Sequence, residues 1–95
     1  MPQTHTALYV HLVFSTKHRR PLLSDPDVRA EAHAYLGGIS SRLGCPPCIV
    51  GGVADHVHIL AQQSKKICLV DWVRDLKSNS SSWIKIKSGQ DNFAW

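Results

Sequence analysis

The stretch Gly51-Gly52-Val53-Ala54-Asp55-His56-Val57-His58-Ile59-Leu60-Ala61-Gln62 decides how the chain is read. From His56 to Gln62 polar and apolar residues alternate. Alternate side chains of a strand share a face, so Val57 and Ile59 are expected in a core. His56 and His58 then project together from the other side, about 6–7 Å apart along the backbone. Cys48 to Val53 reads as the preceding strand. The bend between the two is short and built around Gly51, Gly52 and Asp55, which suits a hairpin.

Upstream, Thr6 to Thr16 reads TALYVHLVFST, rich in β-branched and aromatic residues. Leu8, Val10, Leu12 and Phe14 share one parity and are expected in the core; Tyr9, His11 and Ser15 take the other. His11 is therefore expected on the open face with His56 and His58. A basic loop, Lys17-His18-Arg19-Arg20, follows and is closed by Pro21.

Two helices complete the pattern. Asp25 followed by Pro26 is a helix start, since a carboxylate caps free N–H groups and proline suits the first turn. Val28, Ala32, Tyr35, Ile39 and Leu43 recur at helical spacing. Gly44 with Pro46 and Pro47 is the matching stop. Gly37 and Gly38 inside this helix cost about 1 kcal/mol each, which close packing against the sheet would offset. Ile67 to about Lys87 is helical again, with Leu69, Val73, Leu76 and Trp83 on one side. Arg74, Lys77, Ser81 and Lys85 line the other. The serine-rich run Ser78–Ser82 weakens helix propensity, so tertiary packing must hold the last turns. The final residues, Gln90 to Trp95, look like the beginning of a strand.

The order strand, helix, strand, strand, helix, interrupted strand predicts an α+β, ferredoxin-like (split βαβ) antiparallel sheet. Two helices cover one face, and the last strand is interrupted. The 95 residues are expected to form one domain without repeat or linker. Hydrophobic residues make up 43% and charged ones 19%, which argues against disorder. The net charge of +4 favours polyanionic partners such as nucleic acid. Three cysteines argue against a disulfide framework and fit a reducing, cytosolic compartment. No apolar run approaches the ~18 residues that span a bilayer, and the N-terminus lacks the features of a secretory signal.

Two imidazoles on a rigid strand can share one divalent ion and leave coordination positions for substrate oxygens. The same pattern also arises from two solvated histidines that happen to alternate. Cys45-Pro46-Pro47-Cys48 offers a different reading, a structural Zn2+ site with His56 and His58 as the remaining ligands. As a redox motif its context is inverted, because it follows a helix and enters a strand. Cys68 is expected to pack as a small apolar residue.

Three stretches, HLVFSTKHRRPLL, GGVADHVHILA and WVRDLKSNSSSWI, resemble in order and spacing the signatures of the HUH single-tyrosine transposases. These are the IS-two-hundred-like and REP-associated tyrosine transposases, and the likeness runs from about His5 to Trp95. It implies that His56 and His58, the His-bulky-His motif, bind Mg2+ or Mn2+ on a ferredoxin-like core; His11, by parity, and Asp55 are candidates for the same active face. It further implies a homodimer that recognises single-stranded DNA hairpins and cuts through a 5′-phosphotyrosine, in a bacterial, nucleoid-associated setting.

The chain departs from that pattern after Phe93-Ala94-Trp95. The family's glycine-rich strand and tyrosine helix, with the nucleophile and a ligating glutamine, do not follow. Tyr9 and Tyr35 do not match the family position. This domain is therefore expected to be C-terminally truncated and not to cleave DNA alone. Its first strand should be a long apolar edge that promotes self-association.

Lys17, Arg19, Arg20, Arg74 and Lys77 are the candidate DNA contacts, where cations meet phosphate oxygens. A solvated basic face is the plainer alternative. Trp72, Trp83 and Trp95 could stack on bases, with packing favoured for the first two. Three readings stay open: a transposase piece lacking its nucleophile, a non-catalytic nucleic-acid-binding module, and a zinc-stabilised interaction protein.

Overall fold

A computed structural model describes residues 7–95; the expected strand start at Thr6 and the His5 end of the family likeness lie outside the described residues. The elements run β1 (Tyr9–Ser15), a 3-10 turn (Lys17–Arg19), α1 (Pro26–Arg42), β2 (Pro47–Val53), β3 (His56–Gln62) and α2 (Leu69–Ser88). The sheet is antiparallel in the order β1-β3-β2. This is the ferredoxin-like arrangement with β1 at an edge and the histidine-bearing strand in the centre.

Both helices pack on one face of the sheet. Leu12, Phe14, Val57, Ile59 and Ala61 meet Ala32, Leu36 and Ile39 of α1 and Trp72, Leu76 and Ile84 of α2. Each large aliphatic side chain so buried stabilises the fold by about 1.5–3 kcal/mol. Leu8, expected in this core, is 57% exposed. It precedes β1 at the end of the sheet, where its carbonyl accepts from Gln63 N–H at 2.7 Å.

Asp25 caps α1 as expected, accepting from the N–H groups of Asp27 (2.9 Å) and Val28 (3.4 Å). The apolar stripe centres on Ala32, Leu36 and Ile39, with Val28, Tyr35 and Leu43 half-buried at its flanks. A Cβ at Gly37 would meet Val50 and Pro47 at ordinary contact distances, 3.5 and 3.6 Å. At Gly38 it would meet nothing within 4 Å, and nothing in the structure explains that glycine.

The hairpin differs from expectation. Gly51 and Gly52 lie within β2, opposite His58 and Val57, and the turn is Ala54-Asp55 alone. Gly52 has φ +150°, and a Cβ there would collide with the His56 carbonyl and lie 2.8 Å from Val57 Cα. The glycine permits a close approach of strands rather than the reversal itself. A register shift between Pro47 and Ile49 leaves Cys48 in a bulge.

In α2 the buried stripe is Trp72, Leu76, Ser80 and Ile84, rotated from the expected Leu69, Val73, Leu76 and Trp83. Ser80 belongs to the core because its hydroxyl is satisfied there, donating to Leu76 O and accepting from the Trp95 indole. Leu69 is exposed, while Trp83 stacks on Tyr35 with centroids 4.7 Å apart. Gly89, at φ +72°, ends the helix. Residues 89–95 form no strand: Phe93 is buried, and Trp95 packs edge-on against Phe14 and Phe93. No helix of the described residues is long and apolar enough to cross a membrane.

Candidate metal and nucleic-acid site

The register fixes the open face of the sheet. Ser15, His56 and Val53 lie side by side, then Val13, His58 and Gly51, then His11, Leu60 and Ile49. All three histidines share this uncovered face because they share a parity within the central and edge strands. The His56 and His58 rings sit 4.9 Å apart at 70°, and the His11 and His58 rings 5.3 Å apart at 30°. Gly51 leaves open space beside His58.

A polar chain runs through these residues. His56 Nδ1 is 2.7 Å from Asp55 Oδ1, and His58 Nδ1 is 3.3 Å from His11 Nε2. Arg19 Nε lies 3.5 Å from Asp55 Oδ2. The hydrogen bond with His56, assisted by the Arg19 charge, holds the Asp55 carboxyl below the ordinary carboxylate range against an opposing desolvation effect.

Thr16, which the sequence did not single out, builds this corner. Its N–H donates to Asp55 O at 2.9 Å; its hydroxyl donates to Arg20 O at 2.6 Å and lies 3.2 Å from Asp55 O. Leu23 N–H donates to Ala54 O at 2.9 Å, so both turn carbonyls are taken. His18 and Arg19 adopt left-handed φ values of 59° and 53°, which swing Arg19 back toward Asp55. A threonine after a strand is the sole sequence signal for any of this.

Among the described residues no group of three or more His, Cys, Asp or Glu is arranged to hold an ion. His56 and His58 would offer two nitrogens to an ion on this face, and the described residues arrange no third such ligand with them. The cysteines do not join them. Cys45 is buried, with its Sγ accepting from Ser64 N–H at 3.3 Å, and Cys48 sits in the bulge near Ala61. His56 is five positions along β3 from Ala61, roughly 17 Å at strand rise. Cys68 is exposed at the start of α2 rather than packed.

The basic candidates divide. Lys17 and Arg20 flank Arg19 in the same exposed turn, and Arg20 donates to Asn92 O at 3.5 Å. Arg74 is paired with Asp71 (3.0 Å) and Asp75 (3.5 Å), which reduces its availability to phosphate. Lys77 lies 5.6 Å over the Phe14 ring, in a shallow groove with Ser78, Ser81, Lys85 and Trp95. Trp72 is fully buried, donating to Ser40 Oγ at 3.0 Å, and cannot stack on bases. Tyr35 is held by Trp83; Tyr9 is exposed at the far end of the open face from His56.

A ferredoxin-like sheet with a His-x-His pair on the open face of its central strand defines a class, and the comparisons agree with it. The family model described as "Transposase IS200 like" matches residues 4–94. The chain belongs to that family and is a transposase domain of it. A solved chain from Deinococcus radiodurans R1, to which a transposase function has been ascribed, superposes with TM-score 0.85 at 22% identity. The match covers 100% of this chain and 79% of that one, and at this identity it speaks for the fold. Comparison with curated proteins gives no match.

Proposed function

We propose that this domain binds single-stranded DNA and a divalent ion for transposition by strand cleavage and rejoining. His56 and His58 supply two ligands to Mg2+ or Mn2+, with Zn2+ as the alternative ion. The observation that carries this reading is the pairing of the two rings, 4.9 Å apart on the uncovered face of the central strand. When bound, the ion would polarise a phosphate and stabilise developing negative charge. Arg19, which reaches the pair through Asp55, and Lys17 and Arg20 of the same turn suit the DNA backbone, while Lys77 and Arg74 suit a more distant stretch of strand.

The attacking group is a tyrosine from outside these residues, because Tyr35 is stacked away and Tyr9 is fixed in a strand. A chain of the family that carries the tyrosine would supply it; the proposed partners are a second copy, in a homodimer, and a single-stranded hairpin, in a bacterial, nucleoid-associated setting. Alone, the 95-residue chain binds single-stranded hairpins in a salt-sensitive way and does not cut them. Mixing it with a chain carrying the tyrosine helix should restore Mg2+- or Mn2+-dependent cleavage, and His56→Ala should abolish it. Cleavage that survives His56→Ala, or robust cutting by this chain alone, refutes the reading.

A further inference from the structure

A neutral imidazole has one N–H and one lone pair, and whichever nitrogen donates leaves the other to ligate. An ionised carboxylate only accepts. With Asp55 Oδ1 at 2.7 Å, the proton of His56 resides on Nδ1 and the lone pair on Nε2. A residue and its immediate neighbour within a strand point to opposite faces. Asp55 reaches the His56 ring because it sits in the turn, outside β3, with its carbonyl fixed by Thr16. Its second oxygen lies 3.5 Å from Arg19 Nε, so each carboxylate oxygen faces one partner while Thr16 fixes the backbone carbonyl.

His58 has a parallel arrangement. Its Nδ1 faces His11 Nε2 at 3.3 Å, from the neighbouring strand. When His58 donates, its Nε2 carries the lone pair and His11 keeps its proton on Nδ1.

Resting on the metal-site reading above, we propose that Asp55 and His11 are positioning residues. Asp55 holds Nδ1 of His56, His11 holds Nδ1 of His58, and Nε2 of each ring is the ligating atom. The shorter, charge-assisted contact makes Asp55 the stronger of the two. Loss of such an outer partner typically weakens metal affinity 10–100-fold.

The test uses the intact chain and two readouts: Mn2+ binding by titration, and the histidine tautomers of the metal-free chain by long-range 1H–15N correlation. His56 should show a protonated Nδ1. Asp55→Ala should lose that preference and bind Mn2+ about 10–100-fold more weakly. Asp55→Asn, which keeps an acceptor, should recover much of both. His11→Ala should weaken Mn2+ by a smaller factor, and His56→Ala and His58→Ala should remove binding. If Asp55→Ala matches the parent in both readouts while His56→Ala abolishes binding, the positioning role is wrong and the metal site stands. If His56→Ala leaves Mn2+ binding unchanged, the metal site itself is wrong.

Discussion

The indole N–H of Trp95 donates to Ser80 Oγ at 2.9 Å, fastening residue 95 to the middle of α2. The same hydroxyl donates onward to the carbonyl of Leu76, so a helix serine at full burial keeps its polar atom satisfied in both directions. Ser80→Ala leaves the indole donor unpaired and should cost about 1–3 kcal/mol. Urea denaturation followed by tryptophan fluorescence measures it, and an unchanged midpoint would show that the contact does not hold the tail.

The two glycines of β2 should behave oppositely. Gly52→Ala places a Cβ against the His56 backbone at a φ that side chains avoid, and should destabilise by about 1–3 kcal/mol. At Gly51 a Cβ meets nothing within 4 Å, so Gly51→Leu should melt close to the parent. On the proposed metal site it would, however, reach into the lane beside His58 and should weaken Mn2+ binding. Equal melting temperatures for both variants would contradict this division.

His33 gives the fold a pH dependence. Its Nε2 is buried without a hydrogen-bond partner among the described residues, and burial, reinforced by the Arg29 charge, lowers its pKa. The unfolded chain therefore binds a proton near pH 6.5 that the folded chain refuses until lower pH. Stability from this group is full above about 6.5 and falls as the solution is acidified. His33→Phe should flatten the decline in melting temperature between about pH 7 and 5 relative to the parent. Superimposable profiles would remove His33 as its source.

The outer edge of β1 should drive self-association, since among the described residues no strand neighbours its outer N–H and C=O groups. Sedimentation should show mass rising with concentration. A clean monomer at high concentration counts against the edge as an adhesive surface.

Much of this was legible in the sequence for identifiable reasons. β3 was read at its true bounds, and the shared face of His11, His56 and His58 followed from parity alone. Asp25 announced its helix because capping is local chemistry. The buried face of α2 was misplaced because Ser80 reads as polar until its partners, Leu76 O and the distant Trp95, are known. Gly51 and Gly52 read as a reversal because strand approach and chain turning favour the same residue. The Arg19–Asp55 contact joins residues 36 positions apart through two left-handed conformations, and composition carries no trace of that.

That pair of conformations, at His18 and Arg19, has a consequence of its own. Left-handed backbone at non-glycine residues costs on the order of 1 kcal/mol each, and the Thr16 and Asp55 bonds offset it during folding. Under the proposed DNA-binding reading, a guanidinium already directed to Asp55 beside the histidine pair would need little further ordering to meet a phosphate. Preorganisation of this kind shows itself in tighter binding without added contacts.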